Sequence, residues 1–224
     1  MNAPIYAESS SNTPREQVPA ALHLARCYEM IQIGTVTDTW EGQTKQLNKV
    51  RIGFELPEEL RVFNEEKGEQ PMVISREFTL SMHEKASLRL FLEGWRGKKF
   101  TEEEAKKFDI TVLIGVPAML NVTHTEKGDK VYANIASATP IHKSMVCPAF
   151  INPPRVLSFA AFDWDLYESL PKFLKEKIAN TPEYGAVYTE KIAKERKAAG
   201  QTHSTAPVTP MAPAPESSND DLPF

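Results

Sequence analysis

The spacing of apolar residues constrains this chain most: it switches from two to about 3.6 and back to two between residues 22 and 139. Residues 22–36 are apolar and rich in β-branched side chains, which predicts a long first strand. Asp38 to Gln43, with Gly42, reads as a loop that exposes Trp40. Residues 45–56 alternate: Val50, Ile52, Phe54 and Leu56 face one way, and Lys49, Arg51 and Glu55 face the other. A charged loop is expected over 57–70 and a third strand from Met72 to Leu80. The helical period follows. Ser81-Met82-His83-Glu84 fits a capping box, Leu88, Leu92 and Trp95 recur at helical spacing, and Gly94 stands where a helix would stop. Thr101-Glu102-Glu103-Glu104 fits a second capping box. Alternation returns over 117–125 and 130–139, with Glu126-Lys127-Gly128-Asp129 as a hairpin turn.

The ends read differently. Residues 1–20, with Ser9-Ser10-Ser11 and three prolines, suggest a flexible arm, and the Pro-, Ser- and Thr-rich residues 198–224 a disordered tail. Residues 155–162 suggest a further strand. Residues 171–177 and 182–197 read as helices, the second with Thr181 as N-cap and Pro182 at the first position. The expected organisation is a domain over 21–145 and a strand and helical extension over 146–197 packed on it. Strand, strand, strand, helix, strand, strand is the order of the OB-fold, a mainly β, five-stranded Greek-key barrel with its helix between strands 3 and 4.

Catalytic signals are thin. His83-Glu84 lacks the second His of a zinc-protease helix, and no GxxxxGK or GxSxG occurs. Cys27 and Cys147 stand far apart without metal-ligand spacing. The expectation is a chain that is not an enzyme and needs no cofactor or metal. With no signal pattern and no membrane-spanning run, a cytoplasmic location is expected. Asn121-Val122-Thr123 matches a glycosylation sequon inside a strand and is read as chance.

A net charge of -4 does not announce a polyanion binder, so any such surface must be local. Lys49 and Arg51 on the second strand, with Lys45 and Trp40 before it, form one candidate. Lys127, Lys130 and Tyr132 at the second hairpin form another, and Arg76 on the third strand adds a cation among inward residues. Arg96-Gly97-Lys98-Lys99-Phe100 interleaves cations and rings. Trp95 reads as core, while Lys98 and Lys99 are either phosphate contacts or solvated lysines. The final residues, Asp220-Asp221-Leu222-Pro223-Phe224, combine an aromatic anchor, its carboxylate, a stiffening proline and two acids. Such a peptide suits a partner pocket with apolar walls and a cation; the alternative is an arbitrary acidic end.

This tip resembles that of bacterial single-stranded DNA-binding proteins, where several Asp precede Ile-Pro-Phe. Asp220, Asp221, Pro223 and Phe224 match, Leu222 stands for Ile, and the acidic run is shorter. Phe78 to Lys85, Trp95 to Thr101 and Tyr132 to Ser137 are similar to stretches of phage-encoded OB-fold single-stranded DNA-binding proteins, over roughly residues 22–140. The resemblance implies protection of single-stranded DNA in replication, recombination or repair, with partner enzymes docking on the tip. It leaves the oligomeric state open, a homo-oligomer included. The rivals are a non-catalytic adaptor, whose barrel contacts protein, and an accessory subunit of a replication or recombination enzyme.

Overall fold

The structure, a computed structural model, describes residues 16–40, 42–128 and 130–201. Its residues 16–185 belong to one compact unit, and the chain from Ala186 onward forms a second. The fold is mainly β. Strands β1 (Leu22–Trp40), β2 (Gln43–Asn64), β3 (Gly68–Thr79), β4 (Pro117–Lys127), β5 (Lys130–Thr139) and β6 (Arg155–Leu157) form one sheet in the order β3-β2-β1-β4-β5, with β6 on β1. All pairings are antiparallel except β1 with β6. The helices are α1 (Ser87–Arg96), α2 (Glu102–Lys107), α3 (Trp164–Ser169), α4 (Lys172–Ala179) and α5 (Pro182–Gln201).

The long strands bend at irregularities, at Cys27/Glu29 and Gln32/Gly34 in β1 and between Leu56 and Leu60 in β2. An extra residue in one strand raises local twist and lets a sheet curl. The curled inner face meets α1 in the main core, where Phe54, Phe91, Trp95 and Phe78 pack edge-on or tilted with centroids 4.9–6.4 Å apart. Val50, Ile52, Phe54 and Leu56 all lie in this core, as their alternation predicts.

A second core occupies the other face of β1. Ile31 and Ile33 pack there with Leu157, Tyr167, Leu170, Leu174 and Ile178. Glu55, fully buried, accepts hydrogen bonds from Ile151 N (3.1 Å), Asn152 N (2.8 Å) and Asn152 Nδ2 (3.0 Å), and so fastens the strap that leads into β6. Arg26 holds the strap one turn earlier, donating to the carbonyls of Cys147 and Pro148 (both 2.8 Å).

Several expectations are corrected. The sheet is open: β3 and β5 are its outer strands and share no ladder. Arg76 spans the gap instead, donating from one terminal nitrogen to Ile135 O (2.9 Å) and Ala136 O (3.1 Å). Residues 57–70 are not a loop but a long β2–β3 hairpin, because Leu60, Arg61 and Val62 resume pairing beyond the bulge with Pro71, Gln70 and Glu69. Trp40 ends β1 rather than sitting in a loop. The box at Ser81 does not cap α1, which starts at Ser87 after a turn. The helix also runs through Gly94 to Arg96, with Gly97 in the left-handed cap position. The Thr101–Glu104 capping box is present. The strand expected over 155–162 is only Arg155–Leu157, and α3 follows where none was predicted. At the N-terminal end Val18 is buried in the main core, so the expected arm does not extend to residue 20. α5 runs to Gln201, past the expected start of the tail. Residues 1–15 and 202–224, the tip included, lie outside the described residues.

Phe54 is fully buried at the centre of the ring cluster. Phe54→Ala is expected to cost about 3–5 kcal/mol in urea unfolding. A cost below about 1 kcal/mol would show that the cluster repacks around the void. Arg76→Gln, which leaves two carbonyls without their charged donor, is expected to cost about 1–3 kcal/mol by the same measurement.

Candidate nucleic-acid interface

Apart from Arg51 and Arg76, the sequence-predicted cations fall into three groups. Lys45 pairs with Asp38 on the β1–β2 hairpin and is exposed, while Lys49 Nζ is 3.1 Å from Asp38 Oδ2. Lys127 and Lys130 face each other across the β4–β5 turn, and Tyr132 pairs with Thr125, exposed at 46 %. These two groups lie at opposite ends of β1: its start pairs with β4 near Asn121, and its end runs into the first hairpin.

The third group follows α1. Arg89, nearly buried, donates to Glu93 Oε1 (3.0 Å), Glu102 Oε1 (2.8 Å) and Phe100 O (2.9 Å), and this network sets the shape of the Arg96–Thr101 turn. The backbone N–H of Phe100 and the Arg89 guanidinium hold the Glu93 carboxyl below the ordinary carboxylate range. Trp95 is buried and donates Nε1–H to Pro117 O (2.8 Å); Phe100 is buried against Phe108. Neither ring is available to a base. Arg96 lies over the Phe100 ring at 4.3 Å and beside Glu104. Lys98 and Lys99 remain exposed. Arg76 is the clasp of the open seam, half-buried over the rings of Phe78 and Phe91. Burial lowers its pKa, as expected for a cation taken from water. The Trp40 side chain and Asp220 to Phe224 lie outside the described residues.

The outer face of β2, expected to be open, is partly covered by the extension. Lys177 pairs with Glu77, the β3 neighbour of Arg51, and Phe173 lies under the Arg51 guanidinium at 5.5 Å. What stays accessible is a groove of about 580 Å³ beside β3, lined among others by Tyr28, Glu29, Arg51, Phe63, Val73 and Arg155. Phe63 and Val73 are exposed apolar groups. Glu29, 6 % exposed, sits between two cations: its Oε1 is 3.7 Å from Arg51 Nε and its Oε2 3.5 Å from an Arg155 terminal nitrogen. The Arg51 Nε is buried and has no hydrogen-bond acceptor among the described residues, while the side chain keeps part of its surface open. A buried donor left without an acceptor is costly and calls for a reason.

Glu29, Arg155 and Phe63 were not among the sequence candidates. One signal was present: Glu29 is the charge that interrupts the apolar run from Cys27 to Ile33. Nothing local marks Arg155 or Phe63, because their neighbours come from distant segments.

Among the described residues no three His, Cys, Asp or Glu side chains gather as metal ligands. No helix there is long and apolar enough to cross a membrane. Both cysteines are buried and unpaired, and burial pushes the Cys27 thiol up to about 12. The thiolate is the reactive form. Cys27 is therefore expected to resist iodoacetamide at pH 8 in the native protein and to react once unfolded, as read by mass spectrometry; rapid native labelling would show that β1 opens. No protein-family model matches the sequence, and no curated protein matches it.

Proposed function

We propose that this protein binds and protects single-stranded DNA, largely independently of sequence, through an OB-type barrel. Residues 220–224 recruit enzymes of replication, recombination or repair. The strand connectivity supports the barrel: β1-β2-β3 on one flank, β4-β5 on the other, and α1 between β3 and β4. In this reading Arg76 bridges the last seam in place of a backbone ladder. The observation that carries the reading is the groove beside β3, where the underused Arg51 guanidinium and Arg155 stand near the exposed Phe63. Cations meeting phosphates and rings stacking on bases are what a flexible polyanion requires. Lys45, Lys127, Lys130 and Tyr132, at the two ends of β1, extend the path of the strand beyond the groove.

One observation favours a second reading. The β2–β3 hairpin exposes Val62 and Phe63 among Glu58, Glu65, Glu66 and Glu69, a surface suited to a basic protein partner. An adaptor would use it with no DNA in the groove.

Fluorescence anisotropy with a labelled oligothymidylate at several salt concentrations separates the two. Log K is expected to fall with log[salt] at a slope near -0.7 per phosphate contacted. Arg51→Ala is expected to make the slope shallower. Tyr132→Ala is expected to weaken binding at an unchanged slope, because stacking releases few counterions. An affinity that ignores salt, or no binding at low salt, would leave the adaptor. Phe224→Ala is expected to keep DNA affinity but lose capture of the partner enzyme, since a short peptide concentrates its binding energy in one anchor, about 2 kcal/mol or more.

A further inference from the structure

We propose that Arg51 and Arg155 form one phosphate seat, built jointly by the barrel and the extension, and that Glu29 is the residue that positions both guanidinium groups. The inference rests on the single-stranded DNA reading and deepens it. It adds a binding residue from outside the OB-type domain and assigns a task to a buried carboxylate.

The backbone brings the three together. Arg155 opens β6, and the parallel register places it opposite Glu29 on β1. Arg51 is one strand over on β2, and between them Gly53 lets β1 and β2 side chains crowd: a Cβ on Gly53 would come within 2.9 Å of Glu29 Cβ. Each cation is steadied from behind. Phe173 lies against Arg51 at 5.5 Å, and Ser169 Oγ accepts from Arg155 at 3.3 Å. Glu29 then faces both at 3.7 and 3.5 Å, beyond hydrogen-bond length, so it attracts the guanidinium groups without consuming their donors.

The charge balance points to a monoanion. Two cations and one carboxylate leave a surplus of one positive charge, which a single phosphodiester neutralises. Of the other acids nearby, Glu77 is paired with Lys177 and Glu16 with Arg61, while Glu55 does not line the groove and is turned to the N–H donors of Ile151 and Asn152. Guanidinium forks suit phosphate oxygens, and a seat with fixed side chains loses little entropy on binding. The groove of about 580 Å³ falls in the range of ~300–1,000 Å³ typical of small-ligand sites, room enough for a nucleotide with its base toward Phe63 and Val73.

The full-length protein is titrated with labelled oligothymidylate at several salt concentrations, with circular dichroism confirming the fold of each variant. Arg155→Gln is expected to bind about tenfold or more weakly at low salt, with the log–log slope shallower by about 0.7. Arg155→Lys keeps the charge without the fork, and is expected to keep the slope while losing affinity. Glu29→Gln is the sharpest arm. Removing an acid from a cationic groove strengthens binding if Glu29 merely repels phosphate, and weakens it if Glu29 orients the two arginines; weakening is expected. Inorganic phosphate as competitor reads the seat directly: at millimolar concentration it is expected to displace DNA from the wild-type protein more than chloride at matched ionic strength does, and to lose that advantage on Arg155→Gln. An advantage absent from the wild type, or unchanged in Arg155→Gln, would overturn the seat. Wild-type protein that binds while both Arg155 variants match it at every salt concentration would overturn the seat and leave the function standing. Wild-type protein that does not bind at low salt would remove the function itself.

Discussion

From His23 to Gly34 β1 is almost entirely buried, and the rest of the unit is arranged around that stretch. One edge pairs with β2 along almost its whole length, and the other edge is taken first by β4 and then by β6. One face enters the main core through Ala25, Cys27 and Met30, and the other the second core through Ile31 and Ile33. A strand buried on both faces reads as a nearly continuous apolar run, which is how this segment is written. Without the extension, Ile31 and Ile33 would face water. The second core is therefore a requirement of β1.

The same enclosure explains two buried carboxylates. Taking a carboxylate from water is costly unless hydrogen bonds or opposite charges replace the solvent. Glu55 meets that condition with three N–H donors of the strap. Glu29 meets it with two guanidinium groups just beyond hydrogen-bond length. The contrast divides their tasks. Glu55 is saturated by protein and fixes architecture, whereas Glu29 leaves its partners with donors to spare beside an open groove.

The cations divide in the same way. Arg26, Arg76 and Arg89 spend their forks on backbone carbonyls or buried acids and hold segments together. Lys45, Lys98, Lys99, Lys127 and Lys130 are exposed at the ends of elements. Arg51 belongs to neither group, being half-buried yet with an Nε that has no acceptor among the described residues. That difference, more than the number of basic residues in an acidic chain, is what gives the groove chemical meaning.

The sequence by itself determined several of the elements and the faces they present. The period-two alternation of Val50, Ile52, Phe54 and Leu56, the helical spacing of Leu88, Leu92 and Trp95, and the capping box at Thr101 are local, and each acts within a few residues of itself. The hairpin over 57–70 is not legible locally, because its charges resemble those of a loop while its pairing depends on a bulge that re-registers Leu60 with Pro71. Only the tertiary structure decided what covers what. Outward alternation on β2 states that Arg51 and Glu55 share a face, but not that residues 150–177 lie across it. Arg76 stands among inward residues of β3, and only the gap between β3 and β5 supplies its two carbonyl partners. Arg155 becomes a neighbour of Glu29 through a parallel pairing between segments more than a hundred residues apart. Such a contact leaves no local trace, because the free energy that selects it comes from burying β1, which no neighbour of Arg155 in the chain reports.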